Sequence, residues 1–244
     1  ARGVGRAVPR AVAGAHPDAV AAFGRRFHRF PAAPADVSSR SRCRQAIGSR
    51  FRYTFGVTEG VLARDLLWEV VETQHGFVTA QQAVELGVSK GALQMLVHRG
   101  TLDRAAFGVY RFPRFPVSRY DPFMVAVLWT RAPEACLSHE TALDAYEITD
   151  VNPDTIHVTV AAGRRLRRSS GQAYEIHHQD LAPAQIGWWQ EIPTVTAVTA
   201  VEQCLAYGTP TYLLRQALER GRRHGYLTAA DRERLEADLE ARHV

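Results

Sequence analysis

Apolar positions first take on a helical period after residue 61. Leu66, Leu67, Val70 and Val71 recur at i, i+1, i+4 and i+5, which lays an apolar stripe along one helix face. Gly76 is a natural stop for that helix. Thr79 then offers an N-cap to a short second helix over 80–86. Gly87 ends it, Val88 turns the chain, and Ser89 caps a third helix. There Leu93, Leu96 and Val97 share the buried face, leaving Lys90, Gly91, Gln94, Met95 and His98 on the open side. Gly100 closes the helix. Leu102-Asp103-Arg104 and 108–112 predict two short strands, with Ala105, Ala106 and Phe107 in or near their turn.

Helix, turn, helix and a two-stranded ribbon make a winged helix-turn-helix over 61–112. A helix held proud of its domain by a tight turn fits the DNA major groove, where base edges carry a donor and acceptor code. Ser89, Lys90, Gln94, His98 and Arg99 are the candidate DNA-contacting residues of the third helix. Gln94 suits an adenine edge, and Lys90 and Arg99 suit phosphates. Arg104 and Arg111 on the ribbon would meet the backbone beside the groove. The competing use of such a unit is as a protein-protein module.

Residues 113–122 read as a linker, since Pro113 and Pro116 bar a regular helix. Residues 123–244 read as a second domain. An apolar helix near 122–130 is followed by one that Ser138 would cap, with Ala142, Leu143 and Tyr146 inward. Ile156, Val158 and Val160 alternate with His157 and Thr159, a half-buried strand, and 174–178 repeat the pattern. A third strand falls at 192–195. Helices begin after Thr196, at Thr211 and after Thr228. The fold class is therefore mixed α/β: a winged helix-turn-helix, then a small sheet with C-terminal helices.

Residues 1–60 differ from everything after them. Arginine, alanine, proline and serine dominate, acids are almost absent, and no period persists, so disorder is expected. Three explanations compete: a basic arm for nucleic acid, a transit peptide, or upstream sequence from a mis-assigned start, the last being favoured. The 244 residues carry a net charge of +5, which suits an anionic partner. Nearly all the basic residues are arginine, with Lys90 the sole lysine, which fits the codon bias of a GC-rich genome as well as it fits function. Cys43, Cys136 and Cys204 are scattered and form no C-x-x-C pair, so a reducing, cytoplasmic setting is expected. No apolar run approaches the ~20 residues of a membrane span, and no membrane role is expected.

Arg164, Arg165, Arg167 and Arg168 fall in an expected hairpin or loop between strands. They suit phosphates or an acidic partner surface, and equally a solvated turn. His157, His177 and His178 lie on neighbouring expected strands, yet no acid or cysteine sits at a convincing spacing, so neither metal nor cofactor is expected. His139-Glu140 reads as a helix start, with Ser138 satisfying free amides and Glu140 favoured by the dipole. Trp188-Trp189 reads as one buried and one half-exposed ring. There is no G-x-S-x-G, P-loop or G-x-G-x-x-G. A nuclease centre of the D…(D/E)-x-K kind needs a lysine beside paired carboxylates, and the second domain has none. The chain is therefore expected not to be an enzyme.

The stretch GFVTAQQAVELGVSKGALQMLVHRGTLDRAAFGVYRF resembles the N-terminal winged helix of AbiEi-family antitoxins. Thr79, Ala83, Gly87, Val88, Ser89, Leu93, Gly100, Leu102, Arg104, Gly108, Val109, Tyr110 and Arg111 match that pattern in order. CLSHETAL from Cys136 and IHVTV from Ile156 resemble the segment that follows it in such proteins. The resemblance implies a DNA-binding repressor of its own operon. It also implies, as partners, operator double-stranded DNA and a cognate nucleotidyltransferase-like toxin that the protein neutralises. The alternative is a winged-helix-targeted nuclease, or a protein derived from one.

Overall fold

The computed structural model describes residues 62–166 and 174–242. The expectations for 1–60, and for Arg167 and Arg168, lie outside the described residues.

Helix α1 (Ala63–Glu72) buries Leu67 and Val71, one turn apart. Strand β1 (Phe77–Thr79) leads into α2 (Ala80–Glu85) through a reciprocal cap. Thr79 Oγ1 accepts from the Gln82 amide at 3.1 Å, and Gln82 Oε1 accepts from the Thr79 amide at 2.8 Å. Gly87 takes φ +82° at the turn, a conformation that costs a side-chain-bearing residue energy. Ser89 then caps α3 (Lys90–His98), its Oγ accepting from the Ala92 amide at 3.1 Å. Strands β2 (Asp103–Ala106) and β3 (Val109–Arg111) form the wing, and the sheet order is β1-β3-β2. β1 was not foreseen from the sequence; it pairs antiparallel with β3, Phe77 opposite Arg111. Leu67, Val71, Val78, Ala83, Val88, Leu93, Leu102, Tyr110 and Phe112 make the core of this part. Full burial of one such leucine stabilises by roughly 1.5–3 kcal/mol.

The expected linker is not a loose tether. Ser118 Oγ donates to Asp121 Oδ1 at 2.7 Å, fixing the start of α4 (Asp121–Thr130). This helix is apolar almost all round, and such a helix needs cover on more than one side. It lies between the two sheets. Phe77 and Val109 of the first sheet share one cluster with Met124, Ala126, Val127 and Trp129 of α4 and with Leu137, Val158, Val160 and Ile192 beyond it.

The second sheet comprises β4 (Cys136–Leu137), β5 (Ile156–Val160), β6 (Tyr174–His178), β7 (Ile186–Trp189) and β8 (Ile192–Val195), in the order β6-β5-β4-β8-β7. Leu137, Val158 and Val160 face α4. The other face is covered by α5 (His139–Ala145), α6 (Ala197–Tyr207), α7 (Thr211–Arg223) and α8 (Ala229–Ala241), around Leu143, Val201, Leu214, Leu218, Leu235 and Leu239. The class is mixed α/β, as expected. β5 and β6 run parallel. Of the expected hairpin or loop between these strands, the parallel pairing excludes a tight hairpin. Trp188 is half exposed, and Trp189 packs edge-on against Tyr120 and Phe123.

Candidate nucleic-acid interface

Leu93 anchors α3 from below, 3% exposed, with Leu96 and Val97 half-buried beside it. Lys90, Gln94, Met95, His98 and Arg99 are exposed along the opposite side. The helix thus presents one amide flanked by cations at both ends, above a face fixed by apolar packing. Ser89 is exposed too, but its Oγ is committed to the Ala92 amide, so its first task is to start the helix.

The wing carries fewer free cations than expected. Arg104 is exposed, and its guanidinium lies 6.0 Å from the Tyr110 ring centroid, which aligns it along the ribbon. Phe107 at the tip is 64% exposed. Gly108 turns the ribbon at φ +73°, where an added Cβ would collide with the Arg131 guanidinium.

Arg111 requires a correction. Its Nη2 donates to the Phe115 carbonyl at 2.7 Å, its Nε lies 3.6 Å from Asp121 Oδ2, and its guanidinium sits over the Phe77 ring at 5.8 Å. With a side chain only 16% exposed, it ties the wing to the start of α4 and does not reach outward. Arg111→Ala should therefore lower stability by about 1.5–3 kcal/mol, the range for hydrogen bonds to a charged group. It should leave the salt dependence of DNA binding unchanged. A urea melt and a salt titration of the same variant check both halves; a flattened salt slope with unchanged stability would return Arg111 to the DNA.

Arg164 is likewise engaged. Its Nε and Nη2 donate to the two oxygens of Glu134 at 2.6 and 2.7 Å. Burial, the largest single influence, tends to raise the Glu134 carboxyl, but the Arg164 hydrogen bonds and charge together with backbone amides hold its pKa below the usual carboxylate value. Arg164 therefore pins the segment after β5, while Arg165 stays exposed. The arginine pattern in the sequence could not separate these two roles, because Glu134 lies 30 residues earlier.

A short capped helix with polar groups outward and a ribbon beside it is the geometry of a winged helix-turn-helix. Residues 65–113 match the family AbiEi_4, described as "Transcriptional regulator, AbiEi antitoxin". The resemblance to AbiEi antitoxins thus holds over the winged helix. No curated protein matches the chain in sequence. Among solved structures, the RV2827C protein from Mycobacterium tuberculosis is similar at 15% identity and a TM-score of 0.36, over 71% of this chain and 81% of that one. Among the described residues, no helix is long and apolar enough to cross a membrane.

Proposed function

We propose that the protein is a cytoplasmic repressor that binds the operator of its own operon, as the antitoxin of an AbiE-type pair. The observation that carries this reading is α3. Its apolar side is locked into the winged core, and Lys90, Gln94, His98 and Arg99 are left outward on a helix whose segment matches an antitoxin regulator family. Gln94 reads base edges, Lys90 and Arg99 hold phosphates at the two ends of the helix, and Arg104 holds the backbone beside the groove. Ser89 sets where the helix begins, and so the register of Gln94. Arg165 is a further phosphate contact or a contact to the toxin. The second partner is a nucleotidyltransferase-like toxin, neutralised by the protein. No catalytic step is assigned to the chain.

The test is a salt titration of binding to DNA from upstream of its own gene and to a scrambled duplex. The wild type should prefer the upstream DNA, with affinity falling steeply as salt rises. Arg104→Ala should weaken binding to both DNAs alike and flatten the slope by about one charge. Absence of binding to either DNA at low salt would sink the regulator reading.

A further inference from the structure

Three imidazoles from three separate elements meet on the helix-covered side of the second sheet. His139 opens α5, His157 lies on β5 and His177 on β6. The parallel register sets His157 opposite Glu175 and Thr159 opposite His177, so these four residues share one sheet face. His157 Nδ1 lies 2.9 Å from His177 Nε2. The His139 ring stacks on that of His177 with centroids 3.6 Å apart, and the His157 ring lies nearly parallel at 5.2 Å. One nitrogen from each of the three lies within 4.8 Å of the other two. His139 and His157 are buried, at 7% and 3% exposed.

Packing alone accounts poorly for this arrangement. The 2.9 Å His157–His177 contact is a hydrogen bond from one ring's N–H to the other's lone pair, but it does not account for the third ring brought over both of them. The nearest carboxylate, Glu175, stands 3.8 Å from His177 Nε2 and 4.0 Å from His157 Nδ1. Those distances are too long for hydrogen bonds. Metal bonds of about 2.0–2.2 Å in a tetrahedron hold donor atoms about 3.3–3.6 Å apart, so a bound ion would open the 2.9 Å His157–His177 pair and draw Glu175 inward by a few tenths of an ångström. The backbone at His139 takes φ 50°, in the left-handed region disfavoured for a residue with a β-carbon. Ser138, expected to cap α5, makes no cap bond; its Oγ lies 3.0 Å from His139 Nδ1. Such a contact fixes the ring and tautomer of a ligating histidine. Glu140 lies in the first turn of α5, where the dipole favours an acid, and its Oε1 also accepts from Thr209 Oγ1 at 2.8 Å. The Tyr207 ring stands edge-on to all three imidazoles, and its hydroxyl donates to Glu175 Oε2 at 3.1 Å, orienting that carboxylate. His178 is exposed and takes no part.

We propose that His139, His157 and His177, with Glu175 as fourth ligand, bind a divalent first-row transition metal, zinc foremost, which clamps the β4–α5 turn to β5 and β6. Three nitrogens and one carboxylate disfavour magnesium and calcium, which prefer oxygen cages. Burial and the neighbouring imidazoles hold His139 down to about 3 and His177 to about 4, and burial lowers His157 too. An uncharged imidazole is the form a metal takes up. The stacked rings have to fan out about their soft Cβ–Cγ torsions for the lone pairs to converge. Glu175, with 40% of its side chain exposed, marks the entry side. The inference is independent of the DNA-binding reading.

The experiment uses the untagged full chain, stripped with a chelator and titrated with Zn²⁺, and in parallel with Co²⁺ as a spectroscopic probe. Expected are one ion per chain, a higher melting temperature with zinc, and the strong visible bands of four-coordinate Co²⁺. His177→Gln and Glu175→Gln should weaken zinc binding, His177→Gln by more than about 100-fold, and Ser138→Ala by about 10–100-fold as an outer contact. His178→Gln should change nothing. A folded, stripped wild type that takes up no ion overturns the proposal, as does zinc affinity undiminished in His177→Gln. If His177→Gln fails to fold, the wild-type Co²⁺ spectrum decides: bands of six-coordinate, oxygen-bound cobalt overturn the site.

Discussion

Phe77→Ala is expected to destabilise the protein by about 3–5 kcal/mol, the cost of emptying a large aromatic site that cannot collapse. Phe77 is 2% exposed and lies on a strand buried along its whole length. Val78 belongs to the winged core, whereas Phe77 belongs to the cluster around α4. Neighbouring residues of β1 thus serve two different cores, as alternation along a strand allows. Phe77 also lies beneath the Arg111 guanidinium, so its removal loosens the tie from the wing to Asp121. The loss should appear in urea melts followed by tryptophan fluorescence, because Trp68 reports on α1 and Trp129 on α4. A cost under about 1 kcal/mol would mean that the seam between the winged helix and the second sheet is not packed as described.

The parts of this fold legible in the sequence were those with a local signature. Thr79, Ser89, Thr196 and Thr228 all cap helices with their side chains, and each stood before a periodic apolar run. Ser138 stood before such a run too, yet its hydroxyl faces His139. The difference comes from a histidine ring folded back over the sheet, which no local rule encodes. Strands β1 and β4 span three residues and two, too few to show a period, and their existence depends on partners far along the chain. The histidine cluster was hidden for the same reason. His157 and His177 could be placed on neighbouring strands, but His139 joins them only because β4 lies beside β5 and delivers the start of α5 above it. The inward turn of Arg111 was likewise invisible, since arginine on a ribbon reads as an outward cation until Asp121 and Phe115 are placed beside it.

Gln94→Ala and Leu93→Ala, adjacent on α3, should fail in different ways. Leu93 is 3% exposed against Leu67, Val71, Ala83 and Val88, so its truncation leaves a cavity worth roughly 2–5 kcal/mol. That loss unseats the helix, and binding to every DNA should fall together with the melting temperature. Gln94 is exposed, so its truncation should leave the melt within about 0.5 kcal/mol of wild type. A glutamine amide can donate to and accept from one adenine edge at once, and losing that pair costs about 1–3 kcal/mol on the preferred site. Random duplex offers no matched edge at that position, so binding there should hardly change. The Lys90 and Arg99 contacts remain in Gln94→Ala, so its salt slope should match wild type. Competition between upstream and scrambled duplexes, run beside thermal melts, separates these effects. Equal losses for Gln94→Ala on both duplexes would show that α3 supplies affinity without reading sequence, and discrimination would then have to come from the wing or from DNA shape.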